Sequence, residues 1–191
     1  MDVTNPWKTL ESKRIYENPW ISIKEDQVIQ PDGKPGIYGT VHFKNKAIGV
    51  LPIDDEGYTY LVGQYRYPLD EYSWEIPEGG SPIGESALGG AKRELLEETG
   101  LTAREWRLLG TAHLSNSVSD EEALWYLATG VSQGESCPEG TEKLEHKRLP
   151  FNEALSMVKR GLITDALSVL AIQSYALWQQ SGEELPPLIE I

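Results

Sequence analysis

The sequence predicts an α/β fold: a mixed sheet between helices, preceded by a small N-terminal antiparallel β segment. Two observations support this prediction. Short apolar runs with strand-like character fill most of residues 21–76, and three later stretches repeat their apolar residues at helical spacing. Because strands and helices alternate along the second part of the chain, the helices are expected outside a shared sheet. We place the N-terminal β segment at residues 1–45 and the main domain at residues 46–191.

The N-terminal segment reads as a β-hairpin. Residues 21–30 (ISIKEDQVIQ) resemble a strand, residues 31–36 (PDGKPG) are typical of a turn, and residues 37–43 (IYGTVHF) resemble the returning strand. Three strands at most cannot enclose a core by themselves. The segment is therefore expected to pack on another part of the protein.

The main domain begins near Ala47 with two strand-like runs, AIGVLPID and YTYLVGQYRY, joined by a turn at Asp55-Glu56-Gly57. A short strand follows at residues 72–76, and the glycine- and proline-rich residues 77–84 predict a loop. The remaining predictions are strands at 105–112 and 123–129, and helices at 86–99, 151–160 and 164–180. In the last helix a stripe of apolar or small residues predicts the buried face: Leu167, Leu170, Ala171, Ser174 and Leu177.

The amino-acid composition limits the classes of molecule that the protein is expected to bind. The 191 residues carry a net charge of −13, which disfavours general binding to nucleic acid or to an anionic membrane surface. An anionic substrate would therefore need cations or a local basic pocket. The single Cys137 is compatible with a reducing compartment, and neither a membrane-spanning apolar run nor an apolar signal core is found. We expect a soluble, cytoplasmic protein.

The most informative stretch is residues 79–101, GGSPIGESALGGAKRELLEETGL. Its fixed positions are Gly79, Glu85 after five residues, and R-E-L-x-E-E-x-G-L after seven more. Glu94, Glu97 and Glu98 are spaced i, i+3 and i+4, so on a helix they share one face and repel one another. A hard divalent cation such as Mg²⁺ would relieve this repulsion. The alternative is a solvated acidic face on an ordinary surface helix. The two glycines inside this helix, Gly89 and Gly90, suggest close backbone packing.

This pattern resembles the Nudix box, the signature of the Nudix hydrolases. The resemblance implies an α/β/α sandwich and a Mg²⁺-dependent pyrophosphohydrolase, with Mn²⁺ as a substitute ion. It also implies roles for the matching residues. The metal ligands would be Glu94, Glu97, Glu98 and the main-chain carbonyl of Glu78, while Arg93 would orient the carboxylates and Glu85 would belong to the same charge network. Gly100 would end the helix in a left-handed conformation.

Two further stretches, QYR at residues 64–66 and WEIP at residues 74–77, resemble the subgroup that hydrolyses ADP-ribose and other nucleoside diphosphate sugars. Arg66 could pair with the diphosphate, and Glu75 could accept a hydrogen bond from an adenine amino group or a ribose hydroxyl. The alternative is an ion pair between Arg66 and Glu75 across adjacent strands.

The subgroup also implies a homodimer in which the N-terminal β segment is exchanged between protomers. Trp20 and Tyr38, both in this segment, could stack on the nucleobase. Core packing is the alternative for both side chains.

The general base is expected in the loop at residues 132–143, which contains Glu135, Glu139 and Glu142. We favour Glu142, because it lies just before the strand-like LEHKRL. A second acidic cluster, Asp120, Glu121 and Glu122, is the alternative.

The sequence thus predicts a Mg²⁺-dependent enzyme that cleaves ADP-ribose or a related nucleoside diphosphate sugar into a nucleoside monophosphate and a sugar phosphate. Alternative substrates are dinucleoside polyphosphates and oxidised nucleotides. A nucleotide-sugar sensor without turnover is the alternative from another class of protein.

Overall fold

The computed structural model describes residues 4–134 and 144–189. The chain divides into two compact units. The first comprises the described residues of Met1–Asn45 together with His113–Glu121, and the second comprises those of Lys46–Ala112 and Glu122–Ile191.

The first unit contains a three-stranded antiparallel sheet in the order β1-β2-β3. Its strands are β1 (Lys8–Glu17), β2 (Ile21–Ile29) and β3 (Pro35–Phe43), of which the sequence patterns indicated the second and third. Residues 113–121 run beside β3, where the N–H of Val41 donates to the carbonyl of Val118 over 2.8 Å. Every residue of β1 is exposed within the chain.

The second unit contains two sheets. Four strands form the first, in the order β7-β4-β9-β8, with β4 and β9 parallel. Three strands form the other, in the order β10-β5-β6, and its neighbouring strands are antiparallel. The strands are β4 (Asn45–Pro52), β5 (Tyr58–Arg66), β6 (Glu71–Glu75), β7 (Glu78–Pro82), β8 (Leu101–His113), β9 (Glu122–Gln133) and β10 (Glu145–Pro150).

The helices of the second unit are α1 (Ala87–Thr99), α2 (Phe151–Lys159) and α3 (Ala166–Ser181). Each lies within two residues of a predicted helix. Of the helices in the described ranges, none has the length and apolar content needed to cross a membrane. The architecture confirms the predicted mixed α/β fold with antiparallel strands at its N-terminal end.

The structure corrects two local predictions. Residues 78–82 form β7 rather than part of a loop, because β7 lies at the edge of its sheet, where proline and glycine interrupt no inner hydrogen-bond ladder. Leu177 is exposed rather than buried, since the buried face of α3 is rotated from the predicted stripe. That face consists of Leu167, Ser168, Ala171, Ile172 and Ala176.

Candidate active site

Helix α1 begins and ends where its sequence dictates. The hydroxyl of Ser86 accepts a hydrogen bond from the N–H of Gly89 over 3.0 Å and caps the first turn. Gly100 ends the helix in the left-handed conformation, with φ of 70°. Ala91 and Leu95 are fully buried in the core, which fixes how the rest of the helix faces its neighbours.

Arg93 joins several acidic side chains of the Nudix-like stretch. Its guanidinium donates to both oxygens of Glu85 at 3.2 and 3.1 Å, to Glu94 at 2.7 Å and to Glu97 at 2.8 Å. It also donates to the carbonyl of Gly80 over 2.8 Å. Hydrogen bonding from Arg93 lowers the pKa of Glu85, and these partners raise the pKa of Arg93 itself. One arginine therefore fixes three carboxylates while compensating a single negative charge.

The adjacent strand β7 brings main-chain atoms to the same carboxylates. The N–H of Glu78 donates to Oε2 of Glu98 over 2.8 Å. Gly79 lies directly against the carboxylate of Glu94, so that a Cβ at this position would collide with it. Glu94 and Glu98 are nearly buried, at 9% and 7% exposure. A side chain at position 79 would therefore displace the carboxylate of Glu94 from its present place beside β7.

These residues fit a hard divalent cation. Two nearly buried carboxylates and a third beside them exceed the positive charge that Arg93 supplies, and carboxylate oxygens are the side-chain ligands that Mg²⁺ prefers. The glycine at position 79 also leaves room for the carboxylate of Glu94 next to the β7 backbone. We therefore regard Glu94, Glu97, Glu98 and the Glu78 carbonyl as the residues able to hold such an ion.

A second charged cluster lies at the start of β7. Arg66 donates from Nε to Glu75 at 2.9 Å, and its Nη2 atom reaches Glu75 at 2.5 Å and Glu78 at 2.6 Å. The ion pair that was the alternative to substrate binding for Arg66 and Glu75 is therefore present. Burial lowers the pKa of Arg66, but the hydrogen bonds and charges of its carboxylate partners outweigh this and raise it.

Asp165, just before α3, completes this cluster. Oxygens of Glu75, Glu78 and Asp165 lie within 4.8 Å of one another, whereas Glu94, Glu97 and Glu98 do not form such a compact group in the described residues. Burial, followed by repulsion from Asp165 and Glu75, raises the pKa of Glu78 well above its ordinary value. The Glu78 carboxyl therefore favours its protonated form more strongly than an exposed glutamate does.

The two residues predicted to contact the nucleobase, Trp20 and Tyr38, belong to the first unit. Trp20 is 64% exposed, so it is not a core residue of the chain. The hydroxyl of Tyr38 donates to the carbonyl of Ser117 over 2.7 Å, and its ring meets Trp7 edge-on at 5.1 Å between centroids. Their role in substrate binding stays a prediction.

Only some of the candidate general bases lie within the described residues. Glu142, with Glu135 and Glu139, lies outside the described residues. Among the alternatives, Asp120 accepts hydrogen bonds from His42 at 2.6 Å and from the N–H of Phe43 at 3.0 Å. Burial raises the pKa of Asp120, but these bonds outweigh it and lower the pKa. Glu122 pairs with Lys46 over 2.7 Å.

Sequence reasoning missed three residues near the site. Asp165 and Ser168 gave only the signal of a helix start, since Asp165 caps α3 by accepting from the N–H of Ser168 over 2.7 Å. His146, whose Nε2 atom contacts the carbonyl of Glu98, belongs to no motif of the sequence. The contact of His146 with Glu98, and the approach of Asp165 to Glu75 and Glu78, join residues far apart in the chain, which local patterns do not reveal.

Comparison with known proteins agrees with this geometry. The profile of the "NUDIX domain" matches residues 44–167, and that of the "Nucleoside diphosphate sugar hydrolase N-terminal domain" matches residues 7–41. The methanol dehydrogenase activator of Bacillus methanolicus is 31% identical over 87% of this chain and 90% of its own length. The ADP-ribose pyrophosphatase of Bacillus subtilis (strain 168) is 32% identical over the same shares.

Solved structures confirm the fold. A crystal structure of an ADP compounds hydrolase superposes with a TM-score of 0.84 at 19% identity, covering 95% of this chain and 98% of that one. The domain match and these relatives agree with the residues of the Nudix box. The chain therefore belongs to the Nudix hydrolases.

Proposed function

We propose that this Nudix hydrolase cleaves the diphosphate bond of ADP-ribose or a related nucleoside diphosphate sugar, with Mg²⁺ as the ion and Mn²⁺ as a substitute. The products are a nucleoside monophosphate and a sugar phosphate. The observation that favours this substrate class is the match of residues 7–41 to a domain described for nucleoside diphosphate sugar hydrolases, ahead of a complete box helix. Relatives named ADP-ribose pyrophosphatase and ADP-sugar pyrophosphatase support it.

The chain's own residues would divide the work as follows. Glu94, Glu97, Glu98 and the Glu78 carbonyl hold the ion, which when bound neutralises diphosphate charge and lowers the pKa of a coordinated water. Arg93 fixes the carboxylates of Glu94 and Glu97 through contacts of 2.7 and 2.8 Å, so that they do not rearrange when substrate arrives. This arrangement also lets a protein of net charge −13 accept an anion.

We assign the general base to Glu142 because of its place in the chain ahead of β10. A Glu142→Gln variant should lower kcat for ADP-ribose about 10²-fold, the usual contribution of general base catalysis, with little effect on metal binding. Equal losses in Glu135→Gln and Glu139→Gln would contradict the assignment.

The test of the reaction is release of monophosphate from ADP-ribose, ADP-glucose, GDP-mannose, a dinucleoside polyphosphate and 8-oxo-dGTP, with and without Mg²⁺. We expect Mg²⁺-dependent cleavage of ADP-ribose or a nucleotide sugar, and about a 10³-fold loss in Glu98→Gln, because a ligand of the ion supplies several kcal/mol of transition-state stabilisation. The control is Glu153→Gln, which changes an exposed carboxylate on α2.

Three outcomes would contradict the proposal. Faster cleavage of the dinucleoside polyphosphate or of 8-oxo-dGTP would move the enzyme to another substrate class. Tight binding of a nucleotide sugar without turnover would make the protein a sensor. Full activity of Glu98→Gln would remove the box carboxylates from the reaction.

We further propose that the chain works in the cytoplasm as a homodimer that exchanges its N-terminal segment, residues 1–45. The single cysteine supports the location. The exposed β1 strand and the exposed ring of Trp20 support the dimer, since both would gain buried surface in it.

A further inference from the structure

Ile76 and Pro77 connect β6 to β7, and the next residue, Glu78, carries the carbonyl assigned to the ion. Three hydrogen bonds fix the backbone of these three residues. The N–H of Ile76 donates to the hydroxyl oxygen of Ser168 over 2.9 Å, and the carbonyl of Pro77 accepts from the N–H of Val50 over 2.8 Å. The third bond is the 2.8 Å contact from the N–H of Glu78 to Glu98. Strand β4, helix α1 and helix α3 each supply one partner.

The bond that Ser168 accepts from Ile76 joins residues 92 positions apart in the chain, a longer separation than in the other two bonds. Ser168 is fully buried, at 0% exposure, so bulk water does not reach its hydroxyl. Asp165 holds the N–H of Ser168 in the first turn of α3. A serine in the buried face of this helix therefore serves the β6–β7 connection.

The surroundings leave this connection little freedom. Ile76 is fully buried, and a Cβ on Gly49 would lie only 2.9 Å from its Cδ1 atom and 3.5 Å from a methyl group of Leu167. Ile76 is thus packed between β4 and α3. If the Ser168 hydroxyl were lost, the buried N–H of Ile76 would have to move to find another acceptor, and the residues that follow it would move as well.

We propose that Ser168 is a positioning residue for the metal site, which sets the main-chain carbonyl of Glu78 through Ile76. The proposal rests on the proposed function, in which that carbonyl is a ligand. Mg²⁺ requires near-octahedral geometry at about 2.0–2.1 Å, so a small displacement of one ligand weakens its binding. Ser168 touches neither substrate nor ion in this assignment and acts through the backbone alone.

The test compares Ser168→Ala with Ser174→Ala in the full-length protein. Ser174 lies on the same helix and its hydroxyl accepts from Nε1 of Trp125 over 3.2 Å, so both variants lose one N–H acceptor from α3. Two quantities are measured: the Mg²⁺ concentration for half-maximal cleavage of ADP-ribose, and the dissociation constant of Mn²⁺ without substrate, from its paramagnetic resonance signal.

We expect Ser168→Ala to raise the Mg²⁺ concentration for half-maximal cleavage and the Mn²⁺ dissociation constant about 10-fold each. This is the lower end of the losses in metal affinity on removing residues that orient metal ligands. Ser174→Ala should stay within about 2-fold of the wild type. At saturating Mg²⁺, kcat of Ser168→Ala should recover to within about 3-fold, because the ligands remain. Ser168→Thr, which retains the hydroxyl, should restore the affinity for Mn²⁺.

Equal changes in the two alanine variants would overturn the proposal, as would unchanged Mn²⁺ affinity in Ser168→Ala. If Ser168→Ala fails to fold, Ser168→Cys takes its place, because sulfur fills the site but is a weak acceptor. A wild type that cleaves no nucleotide sugar would refute the proposed function. A wild type that cleaves it, with Ser168→Ala unaltered in metal requirement, would refute only the role of Ser168.

Discussion

Arg66 is the residue on which the buried charge of the second unit most depends. It is the cation that the structure places against Glu75, whose side chain is only 2% exposed. Removing one partner of a buried ion pair costs about 3–5 kcal/mol, because the other charge is left uncompensated. Because the side chain of Arg66 is itself 35% exposed, we expect Arg66→Gln to lower the free energy of unfolding by less than this, about 1–3 kcal/mol, measured by urea denaturation.

The double variant Arg66→Gln/Glu75→Gln should be less destabilised than Arg66→Gln alone, since it removes the stranded charge. Arg14→Gln, which breaks the exposed pair with Glu17, should change stability little. If the losses of stability in Arg66→Gln and in Glu75→Gln simply add in the double variant, the ion pair between Arg66 and Glu75 is not the source of the loss.

Glu78 gives the metal-free protein a distinctive pH dependence. Its folded-state pKa is raised well above the ordinary value of 4.5, first by burial and then by Asp165 and Glu75. The folded state therefore binds the proton more tightly than the unfolded state. This contribution to stability is complete below about pH 4.5 and is lost as pH rises through the folded-state pKa.

We accordingly expect Glu78→Gln to unfold at a higher urea concentration than the wild type at pH 7–8, and to lose less stability as pH rises from 4.5. The substitution keeps the main-chain carbonyl. Unfolding is followed in the presence of EDTA, with Glu153→Gln on α2 as the control. A wild type whose stability rises across this range more steeply than that of the variant would contradict the raised pKa.

At the same scale, the sequence predicted the box residues better than their partners. Glu94, Glu97, Glu98 and Arg93 follow from spacing within one helix, and the structure places them together with Glu85. The carboxyl of Asp165 and the hydroxyl of Ser168 reach β6 and β7 only through the tertiary fold. No local period encodes such a contact, so single-sequence reasoning had no means of finding them.

At the scale of the element, the packing of α1 on β7 explains one of the two glycines inside the helix, Gly90. A Cβ on Gly90 would lie 2.9 Å from the Cβ of Ser81, a distance that real side chains do not adopt. The close packing that the sequence suggested is therefore confirmed at Gly90, whereas a Cβ on Gly89 would meet the side chains of Ser86 and Glu85, just before the helix. Glycine is the residue that lets the carboxylates of α1 lie beside the backbone of β7.

We expect Gly90→Ala to destabilise the protein by up to about 2 kcal/mol. The gain in helix propensity is about 1 kcal/mol, but overpacking against β7 costs about 1–3 kcal/mol. Activity at limiting Mg²⁺ should fall further than stability, because α1 is displaced from Glu78. Thermal unfolding and Mg²⁺ titration measure the two effects, and adding Ser81→Gly should relieve both. A more stable Gly90→Ala variant would show that propensity outweighs the packing.

The strand β7 shows where composition misleads. Residues 78–82 contain two glycines and a proline, which predict a loop, yet they pair as an edge strand with β4. Their conformation is set by neighbours: the carboxylate of Glu94 excludes a side chain at position 79, and Arg93 holds the carbonyl of Gly80. The helix, whose period is local, was predictable; the strand that depends on it was not.

At the scale of the whole molecule, surface chemistry favours association while charge opposes it. The first unit exposes apolar side chains that an isolated chain would leave in water: Leu10, Ile15, Tyr16, Trp20 and Ile37. Its three-stranded sheet has few means of stabilising itself alone. Each protomer nevertheless carries a charge of −13, so two copies repel one another.

We therefore expect a dimer whose dissociation constant falls as salt screens this repulsion, measured by sedimentation at about 20 and 200 mM NaCl. Leu10→Glu and Ile15→Glu should shift the equilibrium toward monomer, whereas Leu177→Glu, at an exposed site on α3, should not. If Trp20 stacks on the base across protomers, the monomeric variants should show a raised KM for ADP-ribose with unchanged Mn²⁺ affinity. A wild type that sediments as a monomer at both salt concentrations would refute the dimer and, with it, the stacking of Trp20 on a base across protomers.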